Sequence, residues 1–125
     1  MPNNRYVILY HKGHGSEHWD LMLDAGRALA TWQLAAEPVR GAGEPIPAKP
    51  IGDHRKRYLD YEGPIGGGRG SVTRYDRGTY RSVHRTPDCW RLELAGTVLN
   101  GLFELVQPDD HRPEAWLFQP VGDIG

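Results

Sequence analysis

One cysteine, Cys89, two methionines and two phenylalanines are all that this chain of 125 residues holds of those types. A single thiol excludes an internal disulfide framework, so stability has to come from an apolar core, and a reducing cytoplasm is the expected setting. Cys89 itself reads as a small packing residue rather than a nucleophile. No apolar run approaches the ~20 residues that a membrane-spanning helix requires, and no basic-then-apolar leader precedes the first apolar segment. Long amphipathic helices with caps are missing as well. The expectation is a soluble protein, one domain over residues 1–125, long enough to bury a core without staples.

Glycine (16) and proline (10) are plentiful, and the apolar runs between them are short. That punctuation predicts a mainly β fold with strands near residues 5–11, 18–23, 28–34, 58–61, 71–75, 79–83, 90–95, 101–106 and 115–118. Asp76-Arg77-Gly78 has the composition of a hairpin turn between two of them, and residues 24–27 form another turn. Residues 38–50 carry four prolines and read as a surface excursion, since proline lacks the ladder donor. Many short strands favour a small, compact, closed or partly closed β-barrel, which removes exposed edges.

The net charge of −1 hides a segregation. Ten of the 15 Lys and Arg residues fall within 49–91, against five acidic ones, whereas 92–125 hold one basic residue and six acidic ones. A basic middle in a neutral protein suits a localised phosphate-facing patch, one able to receive a strand end rather than coat a duplex.

The run His18-Trp-Asp20-Leu-Met-Leu-Asp24 alternates polar and apolar, with Met22 as the exception. On a strand His18, Asp20, Met22 and Asp24 share one face, leaving Trp19, Leu21 and Leu23 for the core. An imidazole and a carboxylate two residues apart on one face can grip a metal ion. His11, at the end of the preceding strand, offers a third ligand, with His14 in the glycine-flanked loop as the alternative. Such a set suits Mn²⁺, Fe²⁺ or Zn²⁺ and leaves positions open for water or substrate.

Eight blocks in order carry a wider resemblance: Arg5-Tyr-Val-Ile-Leu-Tyr-His11, His18-Trp-Asp20-Leu-Met-Leu-Asp24, Thr31-Trp32, Asp53-His54, Tyr58-Leu-Asp-Tyr-Glu-Gly63, Gly68-Arg-Gly-Ser-Val72, Tyr75-Asp-Arg-Gly-Thr-Tyr80 and Leu99-Asn-Gly-Leu-Phe-Glu-Leu105. Together they resemble the 3′-phosphoesterase domain of bacterial DNA ligase D, from about Arg5 to Gln119, as a stand-alone, divergent member. The resemblance implies a compact β-barrel with short helical turns at its margin. It implies Mn²⁺, with Zn²⁺ or another divalent ion as the substitute, on His11, His18 and Asp20. It also implies that His54 contacts the scissile phosphate or leaving group, and that Tyr58 donates a hydrogen bond there.

The chain departs from that pattern where phosphate is gripped. Met22 stands where the resemblance expects an arginine, and Ala36 where it expects a lysine; an arginine expected upstream of Asp53-His54 is also missing, with Lys49 a loose substitute. Lys56, on one extended face with His54 and Tyr58, and Arg69, in a glycine-rich turn, are the replacement candidates for binding phosphate. The expected function is metal-dependent phosphoesterase work on 3′-phosphate or 3′-ribonucleotide ends of nucleic acid in DNA repair, with weakened activity. The alternative is a non-catalytic metal-containing module that binds phosphate, nucleic-acid ends or a DNA-repair protein.

Overall fold

Short apolar runs broken by glycine and proline fold into nine strands in the computed structural model, which describes residues 4–38, 44–109 and 111–121. They are β1 Asn4–Lys12, β2 His18–Asp24, β3 Leu29–Leu34, β4 Ile46–His54, β5 Gly63–Pro64, β6 Ser71–Thr86, β7 Cys89–Gly96, β8 Asn100–Val106 and β9 Trp116–Pro120. Every pairing is antiparallel, in the order β1-β2-β3-β4-β9-β8-β7-β6, and β6 pairs back with β1. The hydrogen bonds therefore run in a ring, and β5 adds to β6 outside it. Closing the ring satisfies edges that would otherwise template aggregation. The fold is mainly β, as the sequence predicts. Among the described residues no helix is long and apolar enough to cross a membrane.

Alternation sends Tyr6, Ile8, Leu21, Leu23, Trp32 and Leu34 inward to meet Leu92, Leu94, Phe103, Leu105 and Phe118 from the far side. Phe103 and Phe118 stack with centroids 5.2 Å apart. The outer face of β1 and β2 is apolar too. Val7, Leu9, Met22 and Leu29 join Val72 and Leu59 in a second cluster, packed against Tyr58, Tyr61 and Ile65. The segment after β4 lies on this face and opens with a 3-10 turn, Lys56–Leu59. Strands covered on both sides lose their polar alternation. That is why residues 6–9 are continuously apolar, and why Met22 interrupts the pattern of β2.

Three expectations need correction. Residues 58–61 are not a strand, because Tyr58 and Leu59 complete the 3-10 turn that lids the second cluster. Residues 71–86 form one strand without a hairpin at Asp76-Arg77-Gly78. Asp76 is buried, and its Oδ1 accepts from the Arg77 and Val98 amides while Oδ2 accepts from the Tyr6 hydroxyl and the Leu99 amide. Gly78 is dictated by close approach: a Cβ there would lie 2.1 Å from the Ala95 carbonyl oxygen. Finally, the proline-rich stretch yields β4. Pro47 sits where β3 has just ended and its carbonyl still accepts from the Ala35 amide, while Pro50 lies beyond the three-residue pairing with β9. Residues 39–43 of that stretch are outside the described residues.

Candidate functional site

Register decides what the outer face of β1 and β2 presents. His11 pairs with His18, and Leu9 with Asp20, so both imidazoles and the carboxylate stand together where the apolar cover ends. His11 Nε2 lies 2.6 Å from the Arg69 carbonyl oxygen, and His18 Nδ1 lies 3.1 Å from that of Ser16. A carbonyl only accepts, so each contact needs a proton on that nitrogen. The opposite nitrogens, His11 Nδ1 and His18 Nε2, are then left with lone pairs, and they face Asp20 at 3.7 and 3.3 Å. Backbone carbonyls holding the outward N–H of inward-facing histidines is the usual way a protein orients metal ligands.

One ligand atom from each of the three residues lies within 4.8 Å of the others. His18 Nε2 and Asp20 Oδ1 are buried, and although they stand at ion-pair distance, neither has a hydrogen-bond partner. Orphaned polar atoms at such a point are costly unless something binds them. The polar contact with Asp20 raises the pKa of His18 above the ordinary histidine value, outweighing the opposing effect of burial. Two imidazoles and a carboxylate, with inward lone pairs and a buried orphan atom on each of two β2 residues, fit a divalent ion such as Mn²⁺ or Zn²⁺. His14 is exposed in the loop between β1 and β2 and does not join the group.

Glycine explains how Arg69 reaches this centre. Gly70, at φ +81°, packs so closely on β1 that a Cβ would lie 2.1 Å from the Lys12 carbonyl oxygen. The turn from 66 to 70 thus approaches backbone, and its contribution to the histidine is a main-chain carbonyl. The Arg69 side chain folds back, with Nε donating to the Gly66 carbonyl at 2.7 Å.

His54, Tyr58 and Lys56 gather at the other end of the same face. His54 pairs with Leu29, which pairs with Asp24. Four residues of β2 separate Asp24 from Asp20, roughly 13 Å. The His54 and Tyr58 rings meet edge to face with centroids 5.8 Å apart, and His54 Nδ1 lies 2.9 Å from the Gly52 carbonyl oxygen. Lys56 Nζ is 3.3 Å from Asp24 Oδ2, so its charge is already engaged. Between the two groups lies Met22, only 2 % exposed.

Much of the basic middle segment is likewise paired internally: Arg74 with Glu62, Arg81 with Glu93 and Arg91 with Glu104. Arg57 lies over the Tyr58 and Tyr61 rings, and Arg85 over Trp90. A cleft of about 910 Å³ opens on the other flank of the metal-fitting group, with His18, Gln33, Lys49, Arg112 and Trp116 in its walls. Gln33 lies opposite Asp20 and Lys49 opposite Gln33. The alternation around Trp32 could have marked Gln33; in the sequence Lys49 stands out only as a loose substitute for an arginine expected upstream of Asp53-His54.

Compared with known protein families, residues 10–107 match the DNA ligase D 3′-phosphoesterase domain. The chain belongs to this family. A comparison with curated proteins gives no match. Membership supports a 3′-phosphoesterase-like role in DNA repair, and the family acts on nucleic-acid ends. The matched span takes in all three residues of the metal-fitting group, and also His54, Lys56, Tyr58 and Arg69.

Proposed function

We propose that the chain is a divalent-metal-dependent phosphoesterase of weak turnover that processes 3′-phosphate or 3′-ribonucleotide ends of nucleic acid. The observation that carries this reading is the convergence of His11, His18 and Asp20, with the outward nitrogen of each imidazole held by a backbone carbonyl. Mn²⁺ bound there supplies Lewis-acid polarisation of a phosphoryl oxygen. The chain's own residues do the rest. His11 and His18 keep their lone pairs aimed inward. His54, with Nδ1 on the Gly52 carbonyl, and the Tyr58 hydroxyl lie roughly 13 Å along the face from the metal-fitting group, so they serve a flanking phosphate of the same strand rather than the one the metal polarises.

Met22 supports the weakness. It occupies with a thioether the point between the metal-fitting and His54 groups where the resemblance expects an arginine. An interaction of that kind contributes about 2–4 kcal/mol to transition-state stabilisation. At ~1.4 kcal/mol per tenfold, its loss lowers the rate roughly 30- to 1,000-fold. The same observation favours a second reading, a module that binds metal and 3′ ends without turning them over.

Purified protein with Mn²⁺ on a primer-template ending in 3′-phosphate or a 3′-ribonucleotide tests both. Slow release, abolished in His18→Ala, supports the enzyme. Binding of the end without release supports the module, and neither binding nor release overturns both.

A further inference from the structure

Resting on that reading, we infer that Gln33 and Lys49 form a phosphate-binding wall beside the metal-fitting group, taking over part of the role lost at Met22 and Ala36. Cross-strand pairing puts one residue from each of five strands in a row on the outer face: Arg74 of β6, Leu9 of β1, Asp20 of β2, Gln33 of β3 and Lys49 of β4. Directly paired residues of an antiparallel sheet share a face, and strands lie about 4.8 Å apart, so Gln33 is the immediate neighbour of Asp20 and Lys49 is roughly 10 Å away. A phosphate oxygen near the Asp20 carboxylate is thus within reach of a carboxamide N–H and of a four-carbon ammonium stem.

Other cations on this face are ion-paired or turned back on their own turn, although the buried Nε of Arg74 has no hydrogen-bond partner. Lys56 holds Asp24, Arg74 faces Glu62, and Arg69 donates back to its own turn. Among the described residues Lys49 has no ion-pair or hydrogen-bond partner, and neither has the Gln33 side chain. Both line the cleft that His18 also borders. The cleft is otherwise mixed in charge: Glu17 takes the Tyr10 hydroxyl, Asp109 accepts from the His111 amide, and Glu114 and Arg112 stand on the wall that Trp116 shares. An anion entering this cleft therefore meets two cations without an ion-pair partner among the described residues, Arg112 and Lys49, and of these Lys49, with the Gln33 amide, stands on the β3–β4 side in register with Asp20. The ligand class is a terminal phosphomonoester or a phosphodiester one nucleotide from a 3′ end, since both present the same non-bridging oxygens.

The test measures binding of fluorescent primer-templates ending in 3′-phosphate or 3′-hydroxyl, by anisotropy, with the metal chelated and again with Mn²⁺. Wild type is expected to prefer the 3′-phosphate end, and Lys49→Ala to lose roughly tenfold of that preference, the size of one charge-assisted contact. Gln33→Ala is expected to lose about threefold, because its hydrogen bond has a single ionised partner. Lys49→Arg retains the preference, and Mn²⁺ affinity is unchanged in all three variants. An undiminished preference in Lys49→Ala overturns the inference while leaving the phosphoesterase reading intact if wild-type turnover persists. A wild type that neither prefers 3′-phosphate nor processes it overturns both.

Discussion

His11 and Arg69, 58 residues apart in the chain, meet through an imidazole nitrogen and a main-chain carbonyl oxygen at 2.6 Å. The contact makes the orientation of the His11 imidazole depend on a turn that approaches β1 backbone to backbone at Gly70. The Arg69 side chain takes no part in it.

Two substitutions side by side are therefore expected to behave oppositely. Arg69→Ala leaves Mn²⁺ affinity within about twofold, because only the carbonyl is used. Gly70→Ala places a methyl group 2.1 Å from the Lys12 carbonyl oxygen, at a φ that disfavours any side chain. It should move the Arg69 carbonyl and weaken metal binding roughly 10- to 100-fold, the usual cost of losing an outer hydrogen bond to a ligand. Calorimetric titration of both variants with Mn²⁺ decides the point; a larger loss in Arg69→Ala contradicts it.

Asp76 is expected to be a stability residue with no effect on the metal. Asp76→Asn turns one acceptor oxygen into a donor; on the Oδ2 side the Tyr6 hydroxyl can reverse to accept from it but the Leu99 amide cannot, so a charge-assisted bond is lost and a buried N–H is stranded. The expected cost is about 2–4 kcal/mol, read as a lower urea midpoint at unchanged slope. Tyr6, whose hydroxyl pKa is pushed up by burial and then by its bond to Asp76, should become easier to ionise in that variant. An unchanged urea midpoint contradicts the assignment.

Much of this arrangement was legible beforehand. The alternation of residues 18–24 correctly set Leu21 and Leu23 in the core, half-buried Trp19 against it, and His18 with Asp20 on the other side. What escaped was whatever depends on partners distant in the chain. Asp76-Arg77-Gly78 has turn composition, and only donors from β1 and the β7–β8 turn turn Asp76 into a buried strand residue. The prolines of β4 are tolerated because of where neighbouring strands end, which local sequence does not reveal. Met22 was visible as an exception to alternation, yet its burial required knowing that residues 58–65 fold over β1 and β2. The row joining Asp20 to Lys49 exists only once the register of three strands is fixed.

Met22 sets a trade between stability and turnover. Met22→Ala is expected to cost about 2–5 kcal/mol, as for other large-to-small changes in a filled cluster. Met22→Arg should lower the melting temperature, since a guanidinium must be accommodated among Val7, Leu9, Leu29, Leu59 and Val72. In compensation it should raise turnover on 3′-phosphate ends by tenfold or more, on the order of one recovered cation contact. Thermal unfolding and single-turnover rates measured on the same preparation check this. A stabilised variant with unchanged turnover contradicts it.

The central claim is that His11, His18 and Asp20 hold one divalent ion. Titration of wild type, His18→Ala and Asp20→Ala with Mn²⁺, and again with Zn²⁺, tests it most directly, with circular dichroism confirming that each variant is folded. The expected result is one ion per wild-type chain and a loss of at least tenfold in affinity in each variant, because two remaining ligands cannot offset dehydration of the ion. Equal stoichiometry and equal affinity in all three proteins contradicts the account.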